Sequence, residues 1–443
     1  MSSWEIAPLR ETGSRREDRA VDRLARRAVF AAFSRLSQGR ILLKEGAGEH
    51  FFGAGEFSAT IEVFDSRFYS LVARSGAIGA AEAYSRGYWE SESLVDLFRI
   101  FVRRIGKESA LESRVAWIGS VPGYFRQLLR RNGRRDSRRN IEAHYDLGND
   151  FFELFLDPSL TYSSGIFETP LASLEEASEA KLRRIALKLG LRPGMRVAEI
   201  GCGWGSFATL AAREFGCHVT GVTLSKQQHA EAMRRVRESG LDDRVQILLK
   251  DYRDLEGSFD RIASIEMVEA IGHARLGEYF ATCSRLLKPD GLMVIQAITM
   301  PDQGYEQYLR RTDVIRHHIF PGSNCPSRTA LLEAASRHSP LRAVHLGEIG
   351  PHYATTLRLW RERFVNRLPD ALSLGYPREF LRLWHFYLCY CEAGFAERHV
   401  GNVQIVLAMP AYRGSLEFDC GPIHKTLEVC RDSKEETDLI SHS

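Results

Sequence analysis

The sequence predicts an α/β protein: a doubly wound, largely parallel sheet preceded by a smaller mixed α+β domain. From residue 195 onward, apolar runs of strand length alternate with segments of helical period. A glycine-rich loop follows the first of those runs, and residues 1–140 lack the regular alternation.

The bulk properties bound what the chain can be. At 443 residues it is long enough for two domains, and 44% apolar with 26% charged residues is an ordinary globular composition. The formal charge is only +3, but it is unevenly placed. Residues 10–40 hold nine arginines against four acids, and the run RQLLRRNGRRDSRRN (126–140) holds seven against one. No stretch reaches the roughly 18 apolar residues of a membrane span, and MSSWEIAPLRE lacks the apolar core of a signal peptide. The eight cysteines form no CxxC pair and no zinc-ligand spacing, so a reduced, cytoplasmic chain without a metal is expected.

In the first third, Val21, Leu24, Ala25, Ala28, Val29, Ala32, Phe33 and Leu36 recur at helical spacing, with Arg19, Arg23, Arg26 and Arg27 on the other side. Such a helix fits either a domain surface or a membrane face. ILLKEG, HFFGAG and FSATIEVFDSRFYSLV alternate like strands, with glycines at the turns, and residues 76–128 read as mainly helical. We place a basic, mostly helical domain at 1–140 for docking or dimerisation, a catalytic domain at 141–410 and a flexible tail at 411–443.

The second domain reads in order. MRVAEI is a strand and SFATLAAREF a helix; HVTGVTL is a strand and SKQQHAEAMRRVRES a helix. RVQILLKD and FDRIASIEM are strands, ARLGEYFATCSRLLKPDG is a helix ending in a turn, and LMVIQAI is a further strand. Such alternation implies right-handed crossovers and a parallel sheet. The loop after the first strand reads Glu199-Ile-Gly201-Cys-Gly203-Trp204-Gly205. Its glycines permit a tight turn and close approach of a ligand. It is GxGxG behind an acid, not the GxGxxG of a dinucleotide fold, and the acid suits an amine-bearing ligand.

This loop, with LLKPDG before a late strand, resembles the Rossmann-like class I S-adenosylmethionine-dependent methyltransferases. The segment Thr223-Leu224-Ser225-Lys-Gln-Gln228 narrows the resemblance to the cyclopropane fatty acid synthase and mycolic acid methyltransferase family. Other stretches match it in order along the chain: HYDLGND (144–150), Tyr162-Ser163-Ser164, DYRDL (251–255), MVEAIG around Glu269, IFPG (319–322), YATTL (353–357) and YLCYC (387–391).

The resemblance implies methyl transfer from S-adenosylmethionine to the double bond of an unsaturated acyl chain, usually within a phospholipid. It places the cofactor against Tyr162, Ser163, Glu199, Gly201, Gly203, Trp204, Gly205, Thr223, Leu224, Ser225, Gln228, Asp251, Tyr252 and Arg253. The second strand lacks the usual terminal acid for the ribose, but hydroxyl and amide groups there can hydrogen-bond it. An alkene is a weak nucleophile, so the reaction depends on positioning, an apolar pocket and a base that removes one proton. Proton loss from the new methyl closes a cyclopropane; loss from the chain, or reduction, gives a branched chain and calls for a partner reductase or oxidase.

In the family that base is a bound bicarbonate, whose pocket carries over to Ser164, Glu269, Gln296, Ile298 and Tyr353. Cyclopropane synthases have Cys and His where Ser164 and Gln296 stand here. Glu142 is an additional candidate base, and His144 a candidate pocket residue beside it. Cys391 falls on a family cysteine, but the chemistry needs no covalent intermediate, so it reads as a packed apolar side chain. The arginine run then fits an anionic phospholipid surface on the inner face of the membrane, at about 1 kcal/mol per arginine. No nucleic-acid module accompanies it, and a homodimer is compatible with the family.

Overall fold

The computed structural model describes residues 20–55, 57–105 and 147–415. The arginine run 126–140, Glu142, His144 and the tail beyond 415 lie outside the described residues. Two compact units divide the chain: residues 1–131, 300–323 and 357–400 in one, and 132–299, 324–356 and 401–443 in the other. The first unit thus also draws on two segments from the second half of the sequence.

In that first unit, β1 (Gly39–Glu45), β2 (Gly48–Ala54), β3 (Ser58–Val63) and β4 (Trp89–Glu90) form a mixed sheet in the order β2-β1-β3-β4. The expected strand pattern ends earlier than read. FSATIEV is extended, but a helix runs over Arg67–Ser85. Asp65 accepts the Arg67 backbone N–H at 2.9 Å, and Phe68, Tyr69 and Leu71 are buried within the helix. The basic helix Ala20–Phe33 buries Ala25, Val29 and Phe33 but leaves Val21 and Leu24 exposed. Arg26 is not merely solvated; it pairs with Glu45 and lies over the Phe30 ring. The helix Arg378–Ala396 completes this unit's core with Phe386, Cys389 and Ala393. Its buried Arg382 is fully engaged by Glu90 and the carbonyls of Tyr84 and Trp89.

The second unit carries β5 (Arg196–Ile200), β6 (His218–Thr223), β7 (Val245–Leu249), β8 (Phe259–Ile265), β9 (Leu287–Thr299), β10 (Arg342–Glu348) and β11 (Gly401–Ala408). Their order is β10-β11-β9-β8-β5-β6-β7. β9, β8, β5, β6 and β7 are parallel, and β11 runs antiparallel to both β9 and β10. The predicted helices occur at Ser206–Phe215, Lys226–Glu238 and Leu276–Leu286. Val197, Val219, Ala263 and Val294 of the sheet pack with Ala208 and Ala232 of these helices and with Ile185 of a further helix, Leu174–Lys188.

Two details depart from the sequence reading. KPDG is not a free turn but an irregularity inside β9: the pairing steps from Phe259↔Leu287 to Arg261↔Leu292, so extra residues bulge out where proline has no N–H to give. The strands β10 and β11 were not anticipated. They follow the parallel core in space, although the helices between Gly350 and Ala396 separate them in sequence. The order of the parallel strands runs outward from β5 on both sides, β6-β7 on one and β8-β9 on the other, so the crevice at the carboxyl ends of β5 and β8 is where such a fold binds ligands.

Candidate active site

The glycine loop sits at that crevice. Gly201 and Gly203 adopt φ of +80° and +53°, and a Cβ on Gly201 would come within 2.5 Å of the Met267 side chain. The N–H groups of Gly201 and Cys202 donate to the Val222 carbonyl at 3.1 and 3.0 Å, which ties the loop to β6. Gly205, also left-handed, caps the helix that begins at Ser206. Trp204 is buried against Phe152 and donates its indole N–H to Asn149 Oδ1 at 2.8 Å.

A cleft is lined by most of the residues expected to meet the cofactor: Tyr162, Ser163, Glu199, Gly201, Gly203 and Trp204. Thr223, Leu224, Gln228, Asp251, Tyr252 and Arg253 line it too. Gly205 and Ser225 stand behind it as helix caps. Ser225 accepts the Gln228 N–H at 3.3 Å, and Thr223 donates to Gln228 Oε1 at 2.8 Å, which fixes the hydroxyl and amide groups at the end of β6. Asp251 is gripped by Arg253 through Nε at 2.9 Å and Nη2 at 2.6 Å.

Glu199 is 3% exposed, and its Oε2 has no hydrogen-bond partner among the described residues. Burial pushes its carboxyl up to about 8, against the pull of Lys181. Lys181 was missed by the sequence reading. Its Nζ donates to Ser163 Oγ at 2.8 Å, and burial pushes it down to about 8 although Glu266, Asp157 and Glu199 oppose this. A buried acid with one unpartnered oxygen, behind a glycine loop that a Cβ at Gly201 would crowd, fits a cationic, amine-bearing nucleoside such as S-adenosylmethionine.

Beside the cleft Ser164, Gln296 and Tyr353 come together, on a residue the sequence reading did not single out. Glu266 directly follows β8, lines the cleft and holds φ of +48°. Its Oε1 accepts from the Ser164 backbone N–H at 3.0 Å, Gln296 Nε2 at 2.9 Å and Asn402 Nδ2 at 2.6 Å. Its Oε2 accepts from Tyr353 Oη at 2.7 Å. The register supplies this convergence, because Ile265 pairs Gln296 on β9, and β11 sets Gln404 opposite Gln296 and Asn402 opposite Ile298. Gln404 Nε2 donates to Gln296 Oε1 at 3.0 Å, which turns the Gln296 amide toward Glu266.

Ser164 therefore acts through its backbone, and Gln296 and Tyr353 through their side chains. Ile298 also uses its backbone: its N–H donates to Glu269 Oε1 at 2.5 Å. Glu269 is 8% exposed, and burial, then the neighbouring Glu266, pushes its carboxyl up to about 8. Cys391 lies on the helix Arg378–Ala396 of the other unit and is not among the cleft-lining residues. The only sequence signal for Glu266 was its place three residues before Glu269 in EMVEAIG.

The model of the family described as "Mycolic acid cyclopropane synthetase" matches residues 132–405. The chain belongs to this family. Over 343 residues it is 38% identical to the tuberculostearic acid methyltransferase UfaA1 of Mycobacterium tuberculosis, covering 76% of this chain and 80% of that one. The cyclopropane-fatty-acyl-phospholipid synthase of Escherichia coli K12 is 35% identical over 373 residues, or 81% of this chain and 90% of that one. Among solved structures, the mycolic acid cyclopropane synthase CmaA1 complexed with SAH and CTAB matches with a TM-score of 0.57 at 33% identity. That match covers 61% of this chain and 98% of the other.

Proposed function

We propose that this family member is a methyltransferase that acts on the double bond of an unsaturated acyl chain in a phospholipid and forms a cyclopropane. The observation that carries the reading is the juxtaposition of two carboxyl groups in one cleft. The buried acid Glu199, with one unpartnered oxygen, suits the donor, and the hydrogen-bonded carboxylate Glu266 lines the same cleft. S-adenosylmethionine, when bound, supplies an electrophilic methyl on a sulfonium. Glu199 would face its cationic amino-acid end, Gly201 and Gly203 would give the backbone room, and Thr223, Ser225 and Gln228 would order the ribose side. Tyr162 and Trp204 would wall the cleft against water.

A second reading, a methyl- or methylene-branched product, is favoured by the identity to the tuberculostearic acid methyltransferase. It would add a reductase or oxidase as partner. Both readings share the first chemical step, so one assay tests both. S-adenosylhomocysteine should form when the protein meets vesicles of a monounsaturated phospholipid and should not form with the saturated analogue. Equal turnover on both lipids would remove the double bond as acceptor.

A cytoplasmic enzyme adsorbed on the inner face of the membrane follows from the same reading. No helix among the described residues is long and apolar enough to cross a bilayer, and the arginines between 126 and 139 supply the charge for docking. Replacing all seven with glutamine should weaken binding to anionic vesicles by at least about 100-fold at low salt, since each contributes on the order of 1 kcal/mol. Vesicle co-sedimentation checks this, and activity on detergent-dispersed lipid should survive. Equal loss in both assays would assign the run to folding instead.

A further inference from the structure

The residues that the resemblance assigns to a bound bicarbonate converge, in this chain, on a side chain. Backbone N–H of Ser164, the amides of Gln296 and Asn402 and the Tyr353 hydroxyl all donate to Glu266. Every partner is a donor, so Glu266 sits as an acceptor-only carboxylate. The residue pays a conformational cost to be there: φ of +48° is a backbone region that favours glycine. Four hydrogen bonds drawn from four separate parts of the chain hold it in place. Glu269, next to it, has one oxygen on the Ile298 N–H and the other without a partner among the described residues.

From this geometry we propose that Glu266 is the proton acceptor of the reaction, a built-in carboxylate that replaces bicarbonate and makes turnover independent of it. The proposal rests on the acyl-methylation reading above. In the step assigned to it, the methylated chain is a carbocation and Glu266 removes one proton from it. The electron pair of the broken C–H bond forms the last C–C bond of the ring, or a new C=C bond in the branched case. The carboxylate becomes a neutral carboxylic acid and returns its proton to solvent before the next turnover. Charge is balanced throughout, and no further reactant is needed. The donors around Glu266 hold the carboxylate in position, and they can relax when it is protonated because three of them are neutral side-chain groups.

The test uses the full chain in buffer stripped of carbon dioxide. Wild-type turnover should not change when bicarbonate is added. Glu266→Gly, chosen because glycine suits the backbone at this position, should lose at least about 100-fold in kcat. It should then recover at least about tenfold of that loss with millimolar bicarbonate or formate. Glu266→Gln, which preserves the shape, should be equally slow and should not be rescued. A wild-type rate that rises with bicarbonate, or a Glu266→Gln enzyme within about threefold of wild type, would overturn the proposal. Carbon-13 NMR of labelled bicarbonate reads the seat without turnover: the glycine variant should bind the anion and wild type should not. If neither protein methylates lipid but this binding difference holds, the acyl reading fails while the anion seat stands. Anion binding by wild type would sink the seat itself.

Discussion

Glu266→Gln should lower kcat by about 100- to 10,000-fold, the usual range for loss of a positioned general base, while the Kd for S-adenosylmethionine stays within about threefold. The separation is expected because Glu266 accepts its hydrogen bonds from Ser164, Gln296, Tyr353 and Asn402, while the proposed seat of the donor is Glu199 and the glycine loop. Tyr353→Phe provides a graded comparison. It removes one of the donors and leaves the carboxylate, so a loss of roughly 1–2 kcal/mol, about tenfold in kcat, is expected. Single-turnover kinetics with saturating donor, together with calorimetric donor titration, would measure both. Parallel loss of binding and turnover in Glu266→Gln would mean that the residue organises the cleft and does no chemistry.

Glu199→Gln should do the reverse. A buried carboxylate with an unpartnered oxygen is replaced by a neutral amide of the same shape, so a bound cation loses its counter-charge. Donor affinity should fall by roughly 3 kcal/mol, about two orders of magnitude. The pH dependence gives this prediction a sign. With Glu199 pushed up to about 8 and Lys181 down to about 8, both groups carry protons at neutral pH in the free protein. A cation in the cleft favours the ionised carboxylate and the neutral amine, so binding expels protons. Affinity should therefore rise with pH up to about 8 and flatten above it. Calorimetry in buffers of different ionisation enthalpy would count the protons released, and Glu199→Gln should reduce that number. Proton uptake on binding would contradict the placement of the cation at Glu199.

The legible parts of this protein were those written in local sequence. The strands β5 to β8 and their helices follow from apolar period, and the turn at Gly201 and Gly203 follows from the need for positive φ. Cleft residues Tyr162, Glu199, Thr223, Gln228 and Asp251 came from ordered motifs, because each lies at a strand end, in a short loop or in the first turn of a helix, where position along the chain fixes position in the fold. Less legible was whatever depends on register between distant strands. Asn402 and Gln404 reach Glu266 and Gln296 only because β11 lies antiparallel to β9, and Glu266 becomes a hub only when those strands are assembled. Lys181 lies on the helix Leu174–Lys188, which the sequence analysis did not assign, and its burial is a tertiary fact. The segment FYSLV alternated plausibly as a strand, but Phe68, Tyr69 and Leu71 are buried on a helix that starts just after Asp65.

The most direct test of the account is product identification. Purified protein would be incubated with S-adenosylmethionine and vesicles of a monounsaturated anionic phospholipid, and the released acyl chains examined by mass spectrometry and proton NMR. The account predicts chains heavier by one CH2 with the upfield protons of a cyclopropane ring. Vinylidene protons without ring signals would replace the ring with the branched product while keeping the transfer. Chains of unchanged mass, under conditions where the donor binds, would contradict the claim that this cleft methylates acyl double bonds.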